Sequence, residues 1–379
     1  MNEIKRTLQK EIELRLNPGK AVLLFGARRV GKTMLAKHIM NNYKGKCIYL
    51  NGEDIDSQSV LMNRSIVNYR NIFSGYDLLV IDEAQQVPEI GKVIKLIVDE
   101  IDGISVFATG SSSFDLLKKA GEPLVGRASQ MHLTPFSQQE ITQIESPFET
   151  QQNLATRLIY GSYPEVVIMD NNEMREEYLR DLVYSYLLKD ILMIDGLRNA
   201  AKMQRLLQLV AYQVGSEVSY DELGRQLAMS RDTVEKYLDL LSKVFIIYKV
   251  GAFARNLRKE ISKAGKWYFL DNGIRNAIIG NFQHVDTRSD MGELWENYLI
   301  AEAFKKNYNS LSYKNFYFWR TYDQQEIDFI EEKDGVIHSF EFKWGKKEPK
   351  APKAFTTAYP DATFQVVNPD NYLDFIVRQ

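Results

Sequence analysis

Gly26-Ala27-Arg28-Arg29-Val30-Gly31-Lys32-Thr33 follows the apolar run Ala21-Val-Leu-Leu-Phe25 and precedes Met34-Leu-Ala-Lys-His-Ile-Met40, whose spacing is helical. Strand, G-x-x-x-x-G-K-[ST] loop and helix, in that order, are the context in which such a loop grips phosphate. Glycine lets the backbone curl until its N–H groups face inward, and the start of the helix adds partial positive charge. Lys32 is expected to reach the β- and γ-phosphates, and the Thr33 hydroxyl to sit on Mg²⁺. Residues 26–33, with Met34 opening the helix, are therefore read as a nucleotide cradle. The plain alternative is a chance glycine turn, against which the flanking elements weigh.

Downstream, Leu78-Leu-Val-Ile81 delivers Asp82 and Glu83 to the end of a second apolar run. In parallel sheets ligands bind at the carboxyl ends of strands, so Asp82 is expected to hold Mg²⁺ through water and Glu83 to orient or deprotonate an attacking water. An exposed acidic turn is the bland reading. After the run Ser105–Ala108 come Thr109-Gly110-Ser111, where Thr109 or Ser111 would sense a γ-phosphate, though a serine-rich stretch ahead of a helix is also an ordinary N-cap. Arg127, in Gly126-Arg127-Ala128, is a candidate finger for its own site or a neighbour's, and equally a structural charge. Arg28 and Arg29 are also available. No N-K-x-D segment follows to read guanine, which favours ATP as the nucleotide.

From Ala21 to Leu133 short apolar runs (AVLLF, CIYL, LLVID, VFAT, SQMHL) alternate with amphipathic stretches, the pattern of a parallel sheet covered by helices. The spacing then turns helical from about Ser146 to Leu209. Tyr220–Leu227 and Ser230–Ser242 read as a helix-turn-helix, and strand-like FIIYKVG follows, as in a winged helix. Arg231, Lys236 and Lys243 are offset by Asp232, Glu235 and Asp239, so DNA or RNA binding and a purely structural role both stay open. Near the end, Glu326-Ile-Asp328-Phe-Ile330 and Phe340-Glu341-Phe-Lys343-Trp344 alternate with period two. That period puts Glu341 and Lys343 on one face, with Asp328 on the neighbouring strand and Glu296 on the preceding helix. An amphipathic hairpin gives the same pattern.

Composition is that of an ordinary soluble chain: 48 basic and 50 acidic side chains among 379 residues leave a charge near −2 and no long-range field to attract nucleic acid. Cys47 stands alone, which excludes an internal disulfide and a thiolate zinc cluster and fits a cytoplasmic home. The four histidines lack ligand spacing, and no apolar run is long enough to span a bilayer, so no membrane partner is expected.

With these residues in hand, the chain resembles the large prokaryotic AAA-type P-loop ATPase family that carries a winged helix and a C-terminal domain of uncharacterised function related to restriction-endonuclease folds. The likeness rests on the 26–33 loop, Ile81-Asp-Glu-Ala-Gln85, Thr109–Ser113, Gly126-Arg127, Pro135-Phe-Ser137, Gly161-Ser-Tyr-Pro-Glu-Val166, Leu188-Lys-Asp-Ile191 and Phe269-Leu-Asp-Asn-Gly273. It implies ATP hydrolysis with Mg²⁺ and strand order 5-1-4-3-2, a motor or switch, and a D…E-x-K nuclease core built from Glu296, Asp328, Glu341 and Lys343. The expected parts are an ATPase domain over 1–145, a helical lid over 146–205, a winged helix over 206–272 and an α+β restriction-endonuclease-like domain over 273–379. A protein partner or a homo-oligomer is compatible with all of them.

Overall fold

The computed structural model describes residues 4–111, 124–187, 200–253, 265–321 and 323–377. Two compact units result. The first comprises residues 1–134 with 243–245 and 308–310, and the second the remainder.

In the first unit, strands β1 (Ala21–Phe25), β2 (Cys47–Asn51), β3 (Leu78–Asp82), β4 (Ser105–Gly110) and β5 (Ala128–His132) form one sheet in the order β2-β3-β4-β1-β5. Every pairing is parallel. The order is the one the resemblance implies. Helices α1 (Gln9–Arg15), α2 (Lys32–Asn42), α3 (Ile55–Met62), α4 (Ile66–Phe73) and α5 (Ile90–Glu100) belong to the same unit. Strands β1, β3 and β4 are buried along their whole length, which is why their sequences are continuous apolar runs rather than alternating ones. Helix α5 buries Ile90, Val93, Ile94, Ile97 and Val98, a single stripe at helical spacing, in the same core cluster as Leu79, Ile81, Val106 and Ala108.

In the second unit the sequence elements pair over long range. Helices Tyr220–Leu227 and Arg231–Lys243 are joined by a turn at Ala228, which has φ 49°. Ser219 caps the first and Ser230 the second, each accepting a backbone N–H three residues on. Strands β6 (Ile247–Ala252) and β7 (Lys266–Phe269) follow as an antiparallel pair. With β8 (Asn315–Arg320), β9 (Glu326–Lys333), β10 (Val336–Phe342) and β11 (Thr363–Val367) they form a six-stranded mixed sheet, ordered β11-β10-β9-β8-β6-β7. The joining contact is parallel: Gly251 and Ala252 pair with Tyr317 and Phe318. The boundary expected after residue 272 therefore divides segments that share one sheet, and the final segment is not a separate body.

Two stretches that carried the resemblance meet in this unit. Asp271 caps helix Asn272–Ile279 with one carboxylate oxygen, taking N–H from Gly273 at 2.8 Å and Ile274 at 3.2 Å. Its other oxygen accepts Ser162 N–H at 2.7 Å. Asn272 and Asn276 donate to the last carbonyls of helix Leu154–Tyr160, at Leu158 and Ile159, which would otherwise lack partners. The Gly161–Val166 and Phe269–Gly273 motifs thus form a structural joint. Leu188–Ile191 lies outside the described residues.

Candidate functional site

The phosphate loop leaves the carboxyl end of β1, and two glycines set its course. A Cβ on Gly26 would lie 2.1 Å from the carbonyl oxygen of Leu133, which belongs to the chain leaving β5. Gly31 has φ 97°, a conformation that L side chains rarely adopt, and stands at the N-terminus of α2. Lys32 is buried, and its ammonium donates to the carbonyls of Gly26 at 2.8 Å and Ala27 at 2.9 Å, so it lies along the inside of its own loop. Val30 and Ala27 are buried, Arg28 is half-buried, and Arg29 (φ 64°) and Met34 are exposed.

Asp82 gathers the site. Its Oδ2 accepts the Thr33 hydroxyl at 2.8 Å and the Tyr49 phenol at 2.9 Å, and its Oδ1 accepts the Thr109 hydroxyl. Burial, and the hydrogen bond to Asp82, push the Tyr49 phenol well above its ordinary value, so it stays a donor. Thr109 Oγ1 in turn accepts the backbone N–H of Glu83 at 3.2 Å. Glu83 has φ 48°, turning the chain sharply at the end of β3, and its carboxylate accepts the Gln85 amide at 2.5 Å. The same amide reaches Ser111 Oγ at 3.0 Å. The structure therefore brings together Gly26–Thr33, Asp82, Glu83, Thr109 and Ser111 at the carboxyl edge of the sheet. Thr33 and Asp82 offer a hydroxyl and a carboxylate, oxygen donors of the kind that hard Mg²⁺ prefers.

A second constellation lies in the second unit, around a cavity of about 670 Å³ lined in part by Glu296, Glu326, Asp328, Lys266 and Lys343. The register of β9 on β10 pairs Phe329 with Phe340, and its next step sets Asp328 beside Glu341. Lys343 Nζ stands 2.6 Å from Glu341 and 3.9 Å from Asp328. Lys266, on β7, is buried and lies 2.5 Å from Glu326 and 3.5 Å from Glu296. Tyr268 donates to Glu296 at 2.5 Å. Burial, outweighing the nearby Lys266, pushes the Glu296 carboxyl up to about 7. Burial likewise raises Asp328, and raises Glu341 with the Asp328 charge adding to it.

Residues 18–142 match the family described as an AAA domain, residues 151–285 a domain of unknown function (DUF8612), and residues 291–375 another (DUF4143). The chain pairs an AAA domain with a C-terminal DUF4143 domain. Relatives are uncharacterized: one from Mycobacterium tuberculosis is 24% identical over 89% of this chain and 74% of that protein, and one from Methanocaldococcus jannaschii is 24% identical over 96% and 84%. Among solved structures the chain is similar to the Thermotoga maritima RuvB Holliday junction branch migration motor, with 19% identity, 64% of this chain and 88% of that one covered, and a TM-score of 0.33. It is also similar to a signal-transduction ATPase with a tetratricopeptide repeat sensor from Pyrococcus horikoshii, with 13% identity, coverage of 80% and 46%, and a TM-score of 0.30. No described helix is long and apolar enough to cross a membrane.

Within the AAA domain Arg127 stands apart from the phosphate loop of its own chain. It precedes β5, its carbonyl accepts the N–H of Ala21 at the first residue of β1, and its guanidinium is paired with Asp99 at 2.6 Å. The phosphate loop leaves the opposite end of β1, roughly 16 Å away at about 3.3 Å per residue. Arg127 cannot serve as a finger for the nucleotide of its own chain. Residues to which the sequence assigned no role are Tyr49 and Gln85, which hold Asp82 and Glu83, and Arg6, which bonds the carbonyls of Val30 at 3.3 Å and Thr134 at 2.5 Å. In the DUF4143 cavity Lys266, Tyr268 and Glu326 were likewise missed.

Proposed function

We propose that the protein is a Mg²⁺-dependent ATP-binding and ATP-hydrolysing AAA ATPase, a motor or switch. The observation that carries this reading is the 2.8 Å hydrogen bond from Thr33 to Asp82, which sets the loop hydroxyl and the strand carboxylate at one point. When bound there, Mg²⁺ would neutralise charge on the β- and γ-phosphates. Lys32 would exchange its carbonyl partners for phosphate oxygens, Asp82 and Tyr49 would keep Thr33 in place, and Glu83 would take a proton from the attacking water. Turnover and ATP binding of Lys32→Ala and Glu83→Gln test it. Loss of binding in the first, and of turnover with binding retained in the second, is expected; undiminished hydrolysis in both removes the assignment.

A second reading is an ATP-gated nuclease in the DUF4143 domain. The convergence of Glu296, Asp328 and Lys343 on one cavity, with Glu341 held by Lys343 at 2.6 Å, favours it. Their oxygens suit a divalent cation in kind, although among the described residues no three acidic, His or Cys groups are gathered as ligands to a metal. This reading requires Lys343 to leave Glu341. Cleavage of labelled DNA or RNA with Mg²⁺ or Mn²⁺, with and without ATP, that disappears in Glu341→Ala supports it. Absence of any cleavage leaves the cavity structural and the protein an ATP-switched scaffold for another protein.

A further inference from the structure

Gln85 is a buried polar side chain of the ATPase site to which the mechanism above gives no part. It follows Asp82-Glu83-Ala84 on a single 3₁₀ turn, Ala84–Gln86, and is 7% exposed. A carboxamide has two N–H donors and one carbonyl acceptor. One N–H goes to the Glu83 carboxylate at 2.5 Å and the other to the Ser111 hydroxyl oxygen at 3.0 Å. The reverse orientation would press the amide oxygen against the carboxylate, so Glu83 fixes which way the amide faces. Ser111 stands directly after the end of β4, beside Thr109, whose hydroxyl already serves Asp82.

The direction of these bonds has a chemical consequence. The Ser111 oxygen accepts from Gln85, which leaves the Ser111 hydrogen to donate elsewhere. Glu83, an acceptor alone when ionised, receives the other amide hydrogen. A chain of hydrogen bonds of fixed orientation therefore links a donor at Ser111 to the carboxylate of Glu83 through the Gln85 amide, whose nitrogen donates to both. A γ-phosphate oxygen is an acceptor that suits the free end. The Gln85 carbonyl oxygen is itself buried and without a partner among the described residues, an acceptor that suits the hydrogen of a water held beside Glu83.

We infer that Gln85 is a positioning residue for ATP hydrolysis: it ties the Glu83 carboxylate to Ser111, so that a γ-phosphate bound by Ser111 sets Glu83 and its water in line. This rests on the ATPase reading. It adds a residue through which the presence of the third phosphate reaches the base, and it predicts that Ser111 and Gln85 act as one unit.

The test uses the full chain and compares Gln85→Met, which removes both donors at similar volume, with Ser111→Ala and the double variant. Circular dichroism melting confirms folding. For Gln85→Met, kcat should fall 10- to 100-fold while the Kd for ATP stays within threefold. Ser111→Ala should do the same, and the double variant should be no slower than the slower single one, because each change breaks the same chain of hydrogen bonds. The inference is overturned if Gln85→Met turns over within twofold of wild type, if its ATP affinity falls in step with kcat, or if the two losses multiply in the double variant. Wild-type protein that neither binds nor hydrolyses ATP overturns the ATPase reading instead, and the Glu83→Gln control separates the two failures.

Discussion

Lys266→Met tests whether the DUF4143 cavity is held by its buried ammonium. Lys266 is 2% exposed, with contacts to Glu326 and Glu296, while Lys343 serves Glu341 and Asp328. Removing one partner of a buried ion pair costs about 3–5 kcal/mol, because the charge left behind is desolvated and unpaired. The Glu326 side chain is 30% exposed, so solvent screens part of that loss and the lower end, about 3 kcal/mol, applies near pH 8. Glu296 supplies the pH dependence. Its folded-state value is raised, so it stabilises the fold when protonated and that contribution is lost as pH rises from the unfolded value towards about 7. Without Lys266 the carboxyl rises further and the loss extends to higher pH, so the gap between variant and wild type should widen from pH 5.5 to pH 8. All four tryptophans, Trp267, Trp295, Trp319 and Trp344, lie in the second unit, so urea unfolding followed by tryptophan emission reports that unit alone. A gap under about 1 kcal/mol at pH 8, or one that narrows with rising pH, refutes the account.

Two further outcomes follow from the first unit. Gly26→Ala places a methyl 2.1 Å from the backbone oxygen of Leu133, so the loop must shift and ATP affinity measured by calorimetry should fall at least tenfold; unchanged affinity would mean the loop relaxes freely. His132 is packed among Phe25, Phe245 and Tyr308, and burial holds it down to about 4. Its neutral form contributes stability that is complete above the unfolded value near 6.5 and is lost as pH falls towards 4, a total of about 3 kcal/mol. His132→Phe should flatten the acid limb of the calorimetric melting temperature, and an unaltered limb would show that other groups set it.

The nucleotide site was legible because its chemistry is local. The glycines at 26 and 31 report backbone demands, and the apolar run before Asp82 reports a buried parallel strand, so one short segment carries both position and role. The second unit was not legible in the same way. Lys266 and Tyr268 sit in Lys-Trp-Tyr-Phe, which reads as an ordinary apolar strand, and their place beside Glu296 and Glu326 depends on the pairing of β6 with β8, a contact between distant segments. The place of Arg127 was not legible because a charge in a sequence has no address: only the register of β5 on β1 puts it at the end of the sheet opposite the phosphate loop of its own chain. Gln85 appeared only as the last residue of the Ile81–Gln85 motif, and Tyr49 only inside an apolar run, and neither showed its role, since a buried amide or phenol is recognised by what it bonds.

The shared sheet also bears on how the DUF4143 cavity is built. Its carboxylates come from β9, β10 and the helix Met291–Ser310, yet the cation deepest among them comes from β7, the second strand of the pair that follows the helix-turn-helix. Residues 291–375 taken alone would keep Glu296, Glu326, Asp328 and Glu341 with Lys343, Lys346 and Lys347 but without the buried Lys266, and would expose the edge of β8 that β6 covers. A bare DUF4143 segment should therefore be less stable at neutral pH than the same segment carried with residues 135–290, and should aggregate through that strand. Whatever displaces the strand pair withdraws Lys266 from Glu296 and Glu326, so the charge in the cavity depends on a strand that residues 291–375 do not contain.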